Sequence, residues 1–192
     1  MAQKLLTFLI AGMMIMIIPA FLTGSLYLDR PPPAHTGGFG EPTCQTVCHS
    51  EFPLNTDGGT LTMDGIPDSY KPGEKYIVRI MLTRPGTERA GFQMSARYQS
   101  GESIGKQAGR LKTIDKNAAI DVKNTILYAR HTVAGAENVK SDTTRWSLEW
   151  TSPLAPQGPV IFHLVANAAD WNDSETGDYI YTQKKQTKVI QK

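Results

Sequence analysis

The chain has 192 residues, 40% of them hydrophobic, which suits one domain with a core plus appendages. Its formal net charge is +2 and no dense Lys/Arg run occurs, so a phosphate-tracking nucleic-acid binder is excluded.

Residues 1–28 read as an N-terminal membrane helix. After Lys4, residues 5–28 carry no charge and are dominated by Leu, Ile, Met and Phe. A helix of that length is about 36 Å long, against about 30 Å of bilayer hydrocarbon. Lys4 and the terminal amine place the N-terminus in the cytoplasm and the remaining chain in the periplasm or outside. A cleaved signal peptide ending near Ile18-Pro19-Ala20 is the rival, and both readings export the domain.

Residues 29–43 are rich in Pro and Gly, a stiff linker that lifts the domain off the membrane. Residues 44–58 are short and irregular. From residue 59 to 183 the pattern is β. Tyr76, Val78, Ile80 and Leu82 alternate with neighbours of other character, as do Phe92, Met94, Ala96 and Tyr98, and Trp146, Leu148 and Trp150. Such period-two runs are half-buried strands. Residues 160–166 are apolar on both faces and suit a central strand, and further strands are expected near 60–64, 126–132 and 178–182. Short strands between Gly/Pro turns predict a mainly β chain, an antiparallel β-sandwich. Residues 184–192 carry four lysines and read as a solvated basic tail.

Both cysteines fall in Cys44-Gln45-Thr46-Val47-Cys48-His49. Covalent haem attachment uses two thiols and a histidine beside the second, usually as C-x-x-C-H. Here one extra residue separates the thiols. The residues therefore predict one covalent haem c, tethered by Cys44 and Cys48, with His49 as proximal iron ligand. For the distal ligand His131 ranks first, at the end of a strand. His35, Met63, Met94 and an open site follow, and His163 reads as a structural histidine. A Cys44–Cys48 disulfide, a zinc site shared with His49 and His35, and free thiols remain as rivals. Asp170, Asp173, Glu175 and Asp178 read as an acidic hairpin loop, with calcium as the less favoured reading.

The stretches around residues 37–49, KPGEKYIVRIML, AGFQMSARY, the His131-Thr132 pair, WSLEWTSP and VIFHLVANAADWNDSETGDYIYT together resemble the choice-of-anchor V domain, a reeler-like β-sandwich of exported proteins. The resemblance covers about residues 34–183. It implies an immunoglobulin-like or reeler-like antiparallel β-sandwich, adds weight to haem attachment ahead of the first strand, and supports His131 as the distal ligand. The expected function is a membrane-anchored monohaem c-type cytochrome, an electron carrier rather than an enzyme. Its partners would be a membrane electron-transfer complex, respiratory or photosynthetic, and a redox protein. The alternatives are a non-redox structural or interaction sandwich with a Cys44–Cys48 disulfide, and a haem enzyme or gas sensor with an open iron site.

Overall fold

The computed structural model describes residues 29–190. The expected N-terminal membrane helix lies outside the described residues. Among those described, no helix is long and apolar enough to cross a membrane.

Among the described residues, eleven strands form two packed sheets. The first sheet holds β1 (Thr60–Asp64), β3 (Lys75–Thr83), β9 (Thr143–Thr151) and β5 (Arg110–Thr113) in that order, with β8 (Val139–Lys140) also paired to β9. The second runs β2 (Ser69–Tyr70), β11 (Tyr179–Val189), β10 (Val160–Ala169), β4 (Arg89–Tyr98), β7 (Ile126–His131) and β6 (Ala118–Lys123). All neighbours are antiparallel except β2 and β11. Among the described residues the helical elements are two single turns, α1 (Cys44–Val47) and α2 (Val133–Ala136).

The alternation read in the sequence sets the core. Val78, Ile80 and Leu82 of β3 and Trp146, Leu148 and Trp150 of β9 point inward from the first sheet, and all are buried. From the second sheet, Phe92, Met94 and Ala96 of β4 meet Phe162, Leu164 and Ala166 of β10 in register on the same inner face. Phe92 packs on Trp146 with ring centroids 4.8 Å apart, and Phe162 packs edge-on against Trp150 at 4.9 Å. These aromatic contacts close the sandwich, since large rings bury the most apolar area per residue.

The two sheets differ on their outer faces. In β9 burial alternates, as expected of a sheet with one wet side. In β4 it is nearly continuous, and the polar residues Gln93, Ser95 and Arg97 are 0%, 0% and 5% exposed. The cause is the Pro/Gly segment read as a linker, which lies across the outer face of β4, β7 and β10. Gln93 accepts the His35 N–H at 2.7 Å and donates to the Pro32 carbonyl at 2.8 Å. Arg130 donates to the Pro31 carbonyl and pairs with Asp121. Arg97 pairs with Glu41, and both bond the Tyr128 hydroxyl. Phe39 packs edge-on against His163 at 5.4 Å, beside Gly38, where a Cβ would come within 2.5 Å of the imidazole. A chain this close leaves no room for a side chain at residue 38.

The basic tail starts later than its lysines suggest. Lys184, Lys185 and Lys188 lie within β11, which continues to Val189. Two of the lysines have nearby partners: Lys185 bonds Asp68 at 3.0 Å, and the Lys188 N–H donates to the Asp68 carbonyl.

Candidate functional site

The cysteine motif folds as one helical turn. Thr46 Oγ1 accepts the Thr43 N–H at 3.0 Å, which starts the turn. The N–H groups of Cys48 and His49 both donate to the Cys44 carbonyl at 3.0 Å, which ends it. The extra residue between the cysteines thus supplies the i, i+4 spacing that puts both thiols on one side of a turn. The following loop is fastened to β11. Phe52 stacks on Tyr179 at 4.1 Å, Asn55 exchanges bonds with the backbone of Ile180 and Thr182, and Glu51 accepts the Gly177 N–H at 2.6 Å.

This anchoring sets the motif over a cavity of about 240 Å³ at one end of the sandwich, mostly apolar and open at its mouth. Cys44, Cys48, His49, His131 and His35 all line it. So do Phe92 and Ala90 of β4, Val165, Ala166 and Asn167 of β10, and the acidic loop through Asp173 and Glu175. Beside His131, the Arg30 N–H donates to the His131 carbonyl at 3.1 Å. Val47 at the lip is 57% exposed.

Asp178 lies in the acidic hairpin loop as expected, just before β11, but unlike its neighbours there it is buried. It is 3% exposed and its Oδ2 lies 2.8 Å from His49 Nδ1. That contact is close enough for charge pairing but falls outside hydrogen-bond geometry, so Nδ1 makes no bond there. Asn167 Nδ2 donates to the same Oδ2 at 3.1 Å and lies 3.5 Å from His49 Nε2. Asp178 Oδ1 and Asn167 Oδ1 are buried without a partner. The signal available in the sequence was only Asp178's position one residue before a strand, which does not announce a distant histidine.

The remaining candidates fall as follows. His131 ends β7, is buried, and its Nδ1 accepts the Phe92 N–H at 3.0 Å. The same Nδ1 also lies 3.4 Å from the Phe92 carbonyl, so its role in the contact depends on the tautomer. His35 Nδ1 meets the Pro32 carbonyl at 3.0 Å. His163 lies on the outer face beneath the Pro/Gly segment, and Met63 and Met94 are in the core. Both cysteines are free, and burial pushes the Cys44 thiol up to about 12, with Cys48 adding to the effect. The Cys48 thiol is also raised, first by desolvation and then by the charge of Glu175. In the acidic loop Asp170 accepts bonds from Asn172, and Ser174 bonds Thr176, so its polar groups serve the loop itself.

Compared with known proteins, the chain is 30% identical over 119 residues to Spondin-1 of Xenopus laevis. The match covers 56% of this chain and 14% of Spondin-1, so the chain spans about one seventh of that relative's length. Similar solved structures include the human F-spondin reeler domain, 24% identical with a TM-score of 0.47, covering 72% of this chain and 93% of that one. The Reelin-N domain of F-spondin is 22% identical with a TM-score of 0.48, covering 72% and 91%. No family model matches.

These findings correct the functional expectation. A monohaem cytochrome relaying electrons is not what the chain's likeness supports. Its sequence similarity runs to Spondin-1. Among the described residues no three of His, Cys, Asp and Glu stand together as a group able to hold a metal ion. What the structure itself shows is a mainly β sandwich of two packed sheets.

Proposed function

We propose that this chain is an exported interaction module: a rigid sandwich that is neither an electron carrier nor an enzyme, with Cys44 and Cys48 joined as a disulfide in its mature form. The observation that carries the reading is the 119-residue likeness to Spondin-1, in which the matched part is 14% of the whole. A sandwich of this kind is there one module of a much longer protein, the usual setting of a domain that presents a surface. Residues 5–28 direct export, and the oxidising compartment then favours the disulfide.

Disulfide formation removes one hydrogen from each thiol and needs an exchange oxidant of that compartment. Cys48 reacts first, because the Cys44 thiol, held up to about 12, supplies almost no thiolate. In the mixed disulfide Cys48 no longer carries the charge that helps to hold Cys44 protonated, so Cys44 can lose its proton, attack the Cys48 sulfur and release the carrier thiol.

The test is intact mass and visible absorbance of the exported protein. A colourless chain, lighter by two hydrogens than after reduction, is the expected result. A visible band that stays with the denatured chain overturns the reading. In the reduced protein, thiol reagents should modify Cys48 well before Cys44, read by peptide mass mapping.

A further inference from the structure

The loop between β10 and β11 holds a motif that an interaction module does not by itself require. Of the six asparagines in the sequence, Asn172 alone is followed two positions later by Ser or Thr, in Asp170-Trp171-Asn172-Asp173-Ser174. Asn-x-Ser/Thr with no proline between is the acceptor pattern for N-linked glycans in exported chains, and it is used on surface loops. The triplet is short, so its setting decides whether it can be used. Asn172, Asp173 and Ser174 are all exposed. Trp171 and Asp173 hold φ of 58° and 57°, which folds the triplet into a tight turn.

The Asn172 amide is bonded in the sense that activates it. Its Oδ1 accepts the Ser174 N–H at 2.9 Å, which draws electron density toward the oxygen and makes the Nδ2 hydrogens more acidic. Nδ2 donates to Asp170 Oδ2 at 3.2 Å and to the Thr176 carbonyl at 2.9 Å. Both hydrogens are thus in use within the loop, and a glycan replaces one of them. The other keeps one of the two bonds. The released acceptor turns to water, because Asp170 and Thr176 are both exposed.

We propose that Asn172 is an N-glycosylation site, an inference that rests on the export reading above. The co-reactant is an oligosaccharide carried on a lipid pyrophosphate, delivered by an oligosaccharide transferase of the exporting membrane. Asn172 Nδ2 attacks the anomeric carbon, and the new N–C bond forms as the bond from that carbon to the pyrophosphate oxygen breaks. The bonding pair leaves with the pyrophosphate, which also takes up the proton lost from Nδ2, so nothing is oxidised or reduced.

The test is mass mapping of the protein taken from its own cells, with the exported and cytoplasmic fractions separated. Cleavage after Arg145 and Lys184 gives one peptide that holds Asn172. That peptide should carry an added glycan mass, and fragmentation should place it on Asn172 rather than Asn167. Asn172→Gln and Ser174→Ala should each abolish the addition, whereas Ser174→Thr should keep it. Ser174→Ala leaves the acceptor amide in place and carries the test if Asn172→Gln disturbs the loop. A wholly unmodified peptide in the exported fraction overturns the proposal, as does a glycan that survives Ser174→Ala. An unmodified peptide in protein found only in the cytoplasm overturns the export reading together with it. The Cys44–Cys48 pairing is read on a different peptide, so it stands or falls separately.

Discussion

The outer face of the second sheet and the cavity at its end are built from the same strands, β4 and β10, but are covered in different ways. On the outer face, Gln93, Arg97 and Arg130 are buried, and each has a partner in the segment laid across it: Gln93 in Pro32 and His35, Arg97 in Glu41, Arg130 in Pro31. At the cavity, Asp178 and Asn167 bond each other beneath a space that stays open. Both regions keep buried polar atoms without a partner, Ser95 Oγ and Arg97 Nε on the face and Asp178 Oδ1 and Asn167 Oδ1 at the cavity. What distinguishes the face is the segment fastened across it by charged and polar pairs, which makes it the costlier of the two to disturb.

The largest expected effect comes from breaking the matched face. Glu41→Gln leaves the Arg97 guanidinium buried without its counter-charge. Loss of one partner of a buried pair typically costs about 3–5 kcal/mol, and denaturant unfolding should register that order of loss. If the loss is below about 1 kcal/mol, the laid-over segment is not part of the stable fold.

Acid should act on the same face. His163 lies under Phe39, and burial, then the charges of Lys184 and Arg97, lower it from the model-peptide value of 6.5 to about 4. Its folded value is below its unfolded one, so in this window the unfolded chain binds the proton first. Stability should therefore fall as pH drops from 6.5 toward about 4, and this contribution levels off below that. The full shift corresponds to roughly 3 kcal/mol at about 1.4 kcal/mol per pH unit. His163→Gln should flatten that part of the profile, measured as the difference from the parent chain. Equal slopes in the two proteins would remove His163 as the cause.

The sequence made the inner faces legible because their physics is local. Trp146, Leu148 and Trp150 alternate within five residues, and that spacing alone turns them inward. The outer face of β4 was not legible in the same way. Gln93, Ser95 and Arg97 alternate as solvent-facing residues do, and what buries them is a segment more than fifty residues away in sequence. Edge strands β2, β5, β6 and β8 escaped notice for a related reason. They are short or, like β6 with its pattern Biiiee, too exposed to alternate clearly. At the site, Cys44, Cys48, His49 and His131 could be singled out as residues, and the fold does bring them to one cavity. Their chemistry could not be read from the motif, because it depends on Asp178 and Asn167, which arrive from β10 and the start of β11.

The smallest effect on stability should come from the cavity, and that small size is the sharpest contrast with Glu41. Asp178→Asn keeps the shape of the side chain and can still accept the Asn167 bond, while removing a charge whose Oδ1 has no donor. It gives up the close approach to His49 Nδ1, but that contact lacks hydrogen-bond geometry and stands beside an open mouth. Gain and loss nearly cancel, so thermal or denaturant unfolding should change by less than about 1 kcal/mol in either direction. A residue that is 3% exposed and yet nearly neutral to stability would place the cavity outside the contacts that hold the fold. A loss approaching that of Glu41→Gln would instead make the Asp178–His49 contact a structural clasp of the cysteine loop, and the two regions would no longer differ in kind.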